Sequence, residues 1–179
     1  QRYGIAAYRF ELLYEILADG NPILPWEITR DLNALLDKNY FYPDSEEFLT
    51  SFDPRQLVIV TSGNPDFQWR KIFAHKIIPL VDTIIVTDDK TATVEAELVR
   101  AARFGVQKPF FFIDDSPREI EAVKKAHPEV ICIQVREPAS WETQRETEYY
   151  DVHLPDLLAA RNYIKGMLKA KRVLNKTSP

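Results

Sequence analysis

Phe110-Phe111-Phe112-Ile113-Asp114-Asp115-Ser116-Pro117 reads as a strand that ends on two carboxylates and hands over to a helix. Four apolar residues in a row suit a strand buried on both faces, as in a parallel sheet. Ser116, Pro117 and Glu119 spell a capping box with proline at the first helical position. A strand that delivers charge at its carboxyl end and then opens a helix is the building unit of an open α/β sheet. In such sheets ligands bind outside the strand ends.

The same grammar repeats outward from that stretch. Leu57-Val58-Ile59-Val60 ends at Thr61-Ser62-Gly63-Asn64-Pro65, and Thr83–Val86 ends at Thr87-Asp88-Asp89-Lys90. A fourth apolar run covers residues 130–135. Helical patterns lie between the runs. One starts at Pro65 and includes Phe67, Ile72 and Phe73; one covers residues 94–104 and stops at Gly105; one opens at Ser116. Residues 156–174 read as a closing helix, and His153 falls near a short final strand. Alternating strands and helices predict a doubly wound, Rossmann-like parallel sheet.

Residues 1–53 read differently. Ile5, Tyr8, Leu12, Leu13, Ile16 and Leu17 recur at helical spacing up to Asp19-Gly20. A second helix is expected from Pro25 through Leu36, and a short third one capped by Asp44 with Glu47 three residues on. No strand is expected before residue 56. The organisation expected is a helical segment over 1–53 and an α/β body over 54–179.

Bulk composition narrows the function classes. The 179 residues are 45% hydrophobic and 28% charged, with net charge −4. A mildly acidic chain lacks the basic field of a nucleic-acid binder, and no run reaches the roughly 18 apolar residues of a membrane span. Cys132 is the single cysteine, so no internal disulfide forms, which fits a reducing, cytoplasmic setting. Cys132 lies mid-strand and is expected to be a buried, inert thiol. His75, His127 and His153 show no metal spacing.

The strand ends carry a chemical set. Thr61 and Ser62 are a hydroxyl pair, followed by Gly63 and a helix N-terminus, which suits an anion such as phosphate. Lys90 supplies an ammonium. Asp114 and Asp115 supply hard oxygens of the kind that hold Mg²⁺. Taken singly, each has a plainer reading: Thr61 and Ser62 as a helix cap, Lys90 as a surface lysine, Asp114-Asp115 as a turn. Asp88 and Asp89 read as loop. Together, an ammonium and a metal neutralise a phosphoryl group, the main lever in phosphoryl transfer.

Three pieces in this order resemble the haloacid dehalogenase-like superfamily. They are Leu57-Val58-Ile59-Val60-Thr61-Ser62-Gly63, then Lys90 opening a helix 24 residues before Asp114, then Phe112-Ile113-Asp114-Asp115-Ser116. The resemblance covers residues 55–155. It implies Mg²⁺-dependent hydrolysis of a small phosphorylated metabolite through an aspartyl-phosphate. Thr61, with the N–H groups of Ser62 and Gly63, would hold a phosphate oxygen. Lys90 would steady nucleophile and phosphate, and Asp114 and Asp115 would hold Mg²⁺. Residues 1–53 would be a small helical cap.

One family feature is missing. The Asp-x-Asp motif, whose first Asp is the nucleophile, does not occur before residue 53; Asp37, Asp44 and Asp53 follow no apolar strand. The resemblance implies that strand at the centre of the sheet, between those at 57–60 and 110–113, where its loss would leave backbone groups unpaired; it is therefore expected upstream of Gln1. The alternative is a relative that kept the fold and lost the nucleophile, with a binding or scaffold role. A receiver domain orders its acidic pair before its lysine, the reverse of what stands here. Neither Gly-rich nucleotide fingerprint is present.

Overall fold

The structure is a computed structural model that describes Arg30, Ala34, residues 41–135 and residues 147–177, with side chains to residue 171. The expected helices over 1–36 lie almost wholly outside the described residues. By its contacts the chain divides into two units: residues 1–42 with 53–88, and residues 43–52 with 89–179.

The first unit holds two parallel strands, β1 (Val58–Thr61) and β2 (Thr83–Val86), joined through helix α1 (Pro65–Ala74) and a 3-10 turn at Ile78–Leu80. Val58 pairs with Thr83 and Thr61 with Val86. Backbone bonds from Asp82 N–H to Leu57 C=O and from Thr87 N–H to Thr61 C=O extend the ladder past both ends. Both strands are half-buried along their length rather than buried on both faces as their sequence suggests. Ile72, Ile77 and Val81 are buried beside them. Asp53 launches the unit. Its carboxylate accepts from the Arg55 backbone and side chain, and Gln56 answers the Asp53 N–H in a capping box.

The second unit is built on three parallel strands in the order β3 (Phe111–Asp114), β4 (Ile131–Val135), β5 (Val152–Leu154). Around them lie α2 (Ser45–Thr50), α3 (Lys90–Arg103), α4 (Pro117–Ala126) and α5 (Leu157–Thr177). Phe112 and Cys132 pair in register and point to one face, where Ile120 and Val123 of α4 seal them. Val94 and Leu98 of α3 pack against the same cluster. Ile133, on the opposite face of β4, is fully buried, as is Ala160 of α5. Helices, parallel strands and crossovers together give the α/β, Rossmann-like architecture expected from the sequence, with helices expected at residues 65, 94–104 and 116 all present. The closing helix runs a little longer than expected, to Thr177.

Two caps differ from the sequence reading. Asp44 stands at the N-cap of α2 but makes no side-chain cap bond there. Its Oδ2 accepts instead from the Leu157 N–H, 2.8 Å away, and so caps the start of α5. Arg161 of α5 also pairs with Glu47 of α2. Ser116 likewise makes no side-chain cap bond, and its backbone N–H, which a capping box would give to Glu119, goes to Asp114. The expected capping boxes thus give way to other partners, one distant in the chain and one two residues away. Asp89, read as loop, is a true N-cap: its Oδ1 accepts from the Ala92 N–H at 2.9 Å.

Candidate active site

The carboxyl end of β3 concentrates charge. The apolar run carries the chain through the sheet, and Asp114 is the first residue that no longer fills the core. Asp114 Oδ1 accepts the Ser116 N–H at 2.9 Å, a local turn that aims the carboxylate. Asp114 Oδ2 lies 2.7 Å from Lys90 Nζ, and the two side chains are only 9% and 12% exposed. Lys90 is the first residue of α3. A cation at a helix N-terminus opposes the macrodipole, so the position is set by Asp114 and not by helix propensity. Asp115 follows, half-buried, and Pro117 is buried as it opens α4.

In β4, Gln134 stands directly opposite Asp114 in the parallel register. It is fully buried, and neither its amide oxygen nor its amide nitrogen has a hydrogen-bond partner. A buried amide left unpaired costs of the order of 1–3 kcal/mol.

The turn after β1 gathers the other group of sequence-derived residues, within the first unit. Thr61 ends the strand, half-buried, with Ser62 exposed beyond it. Gly63 has φ 125°, a conformation that side-chain-bearing residues rarely adopt. Asn64 caps α1, its Oδ1 accepting the Phe67 N–H at 3.1 Å, and Pro65 takes the first helical position. The cap that sequence assigned to Thr61 or Ser62 therefore belongs to Asn64. The Asn-Pro pair at a helix start is a sequence signal for that role.

The structure thus brings Lys90 to Asp114 in one unit and sets Thr61, Ser62 and Gly63 on one turn in the other. Among the described residues no three His, Cys, Asp or Glu side chains gather as a metal-ligand set. Asp114 and Asp115 are two carboxylates at one strand end. That number fits Mg²⁺, which is commonly held by one or two carboxylates and completes its shell with water and substrate oxygens. Cys132 is fully buried, and burial pushes its thiol up to about 11. Among the described residues no helix is long and apolar enough to cross a membrane.

Solved structures similar to this one include dehalogenases. The L-2-haloacid dehalogenase from Xanthobacter autotrophicus superposes with a TM-score of 0.58 at 16% identity, over 76% of this chain and 66% of that one. A second dehalogenase, solved with an intermediate complex, gives a TM-score of 0.57 at 16% identity, over 82% of this chain and 66% of that one. The fold is that of the haloacid dehalogenases. This chain spans just under two-thirds of the length of those enzymes. No protein-family model and no curated protein sequence matches it.

Proposed function

We propose that this chain carries the phosphate- and Mg²⁺-handling residues of a phosphomonoester hydrolase built on the haloacid dehalogenase fold. The observation that carries the reading is the Lys90–Asp114 pair with Asp115 beside it. A largely buried ammonium locked to one carboxylate, with a second carboxylate next in the chain, suits the handling of a phosphoryl dianion and its metal. Asp114 and Asp115 would hold the ion. Bound Mg²⁺ would supply charge neutralisation at the phosphoryl oxygens. Lys90 keeps its ammonium oriented through Asp114, and the Thr61 hydroxyl and the N–H groups of Ser62 and Gly63 donate to a phosphate oxygen. The nucleophilic carboxylate of the aspartyl-phosphate route is assigned to no residue of this chain.

A second reading is favoured by the solved structures themselves, which are dehalogenases; one holds covalently bound chloropropionic acid. On that reading Lys90 and Asp114 serve a carboxylate-bearing haloacid, and Asp115 has no metal to bind. One assay separates the readings. The full-length gene product is tested with an aryl phosphate with and without Mg²⁺, then with a panel of phosphorylated metabolites, and in parallel with L-2-chloropropionate. Phosphate release that requires Mg²⁺ supports the proposal. Chloride release without metal replaces it with the second reading. Turnover of neither class points to a fold retained for binding.

A further inference from the structure

The turn after β1 is already occupied by part of the chain. Gln68, the fourth residue of α1, folds back over it. Its Oε1 accepts the Thr61 hydroxyl proton at 3.2 Å, and its Nε2 donates to the Ser62 carbonyl at 3.0 Å. A Cβ at residue 63 would stand 3.0 Å from that same Nε2. Glycine at 63 therefore both permits the turn and leaves the room that the Gln68 amide takes up.

We infer that Gln68 attenuates anion binding at this turn by competing with the incoming anion for the Thr61 hydroxyl. A threonine hydroxyl has one proton to donate. While Gln68 Oε1 accepts it, a ligand oxygen cannot, so a ligand must displace the carboxamide. The Gln68 bond is neutral, whereas a bond to a phosphate oxygen is charge-assisted and roughly twice as strong. The competition lowers the affinity for every anion by one common factor, so that only a strong acceptor such as a dianion still binds well. It rests on the reading of this turn as a phosphate site.

The test is binding of inorganic phosphate to the full-length gene product, followed by the amide resonances of Thr61 and Gly63. Wild type is compared with Gln68→Ala and Gln68→Leu, which remove the competing acceptor in two sizes. Gln68 is half-buried, and the amide spectrum of each variant reports its fold. The expected result is phosphate affinity higher by about three- to tenfold in both variants, the worth of one neutral hydrogen bond. Affinity for acetate should rise by the same factor, because the bond to be displaced is the same for every ligand. Unchanged affinity in both variants overturns the inference and leaves the phosphate turn standing. Weaker binding in both makes Gln68 a ligand instead of a competitor and also overturns it. No phosphate response at these amides in any of the three proteins removes the phosphate turn and this inference together.

Discussion

Lys90 and Asp114 are 24 residues apart in the chain, and their side chains meet at 2.7 Å in a setting that leaves each about a tenth exposed. Removing one partner strands the other charge. Lys90→Met is expected to cost about 3 kcal/mol in urea unfolding, as is Asp114→Leu. The double substitution should recover much of that loss, because no buried charge remains. Additive losses in the double variant would show that the two side chains act separately.

Asp115→Asn separates metal binding from folding. The residue is half-buried at the end of β3, and amide and carboxylate have the same shape. Metal-dependent turnover should vanish while the unfolding midpoint moves little. Turnover equal to wild type, measured at saturating Mg²⁺, would remove the metal assignment.

Lys124 ties α4 to the sheet. Its Nζ donates to the Pro128 and Val130 carbonyls, each at 2.9 Å, and reaches Asp151 at 2.7 Å. Asp151 in turn accepts the Cys132 N–H at 2.8 Å. Lys124→Met should destabilise by about 1–3 kcal/mol, since it takes the donor from two carbonyls and the counter-charge from one carboxylate. A cycle with Asp151→Asn should give a coupling energy clearly above the roughly 0.2–1 kcal/mol of an exposed pair.

Cys132 supplies a pH signature. Burial first of all, and the nearby Asp151 charge as a lesser cause, raise the thiol from 9.0 to about 11, against the opposing pull of Lys124. A thiol whose folded value lies above its unfolded one favours the folded state fully below pH 9.0. That contribution is lost as pH rises from there towards 11. Replacement by serine or alanine should flatten stability across this window. At pH 8, alkylation should be slow in the native protein and rapid in denaturant, because the thiolate is the reactive form.

Much of the fold was legible because the strands are short, apolar and punctuated. Each apolar run ends on polar residues, and the observed strands start or stop within a residue of those runs. The end-on residues Thr61, Lys90 and Asp114 were legible for the same reason: charge or hydroxyl at a strand's carboxyl end has no core to fill. Pairing choices were not legible. Sequence placed Asp44 over its own helix, whereas the side chain bonds a residue 113 positions away. Local capping patterns record which partners lie within reach along the chain, and tertiary contacts add others. Gln68 and Gln134 left no signal at all, because an isolated glutamine has no period and no motif.

The bridge from Asp44 to Leu157 also sets a schedule. Loops this long close slowly, and contacts between distant segments are made late. On the ribosome, the strand–helix–strand of residues 58–86 emerges with both of its paired strands close together in the chain. The short helix Ser45–Thr50, made earlier, has to wait for the start of α5 before its docking partner exists. Synthesis order and assembly order are therefore opposite for that helix. A chain halted before residue 157 would hold Phe48 and Leu49, buried in the finished unit, against water.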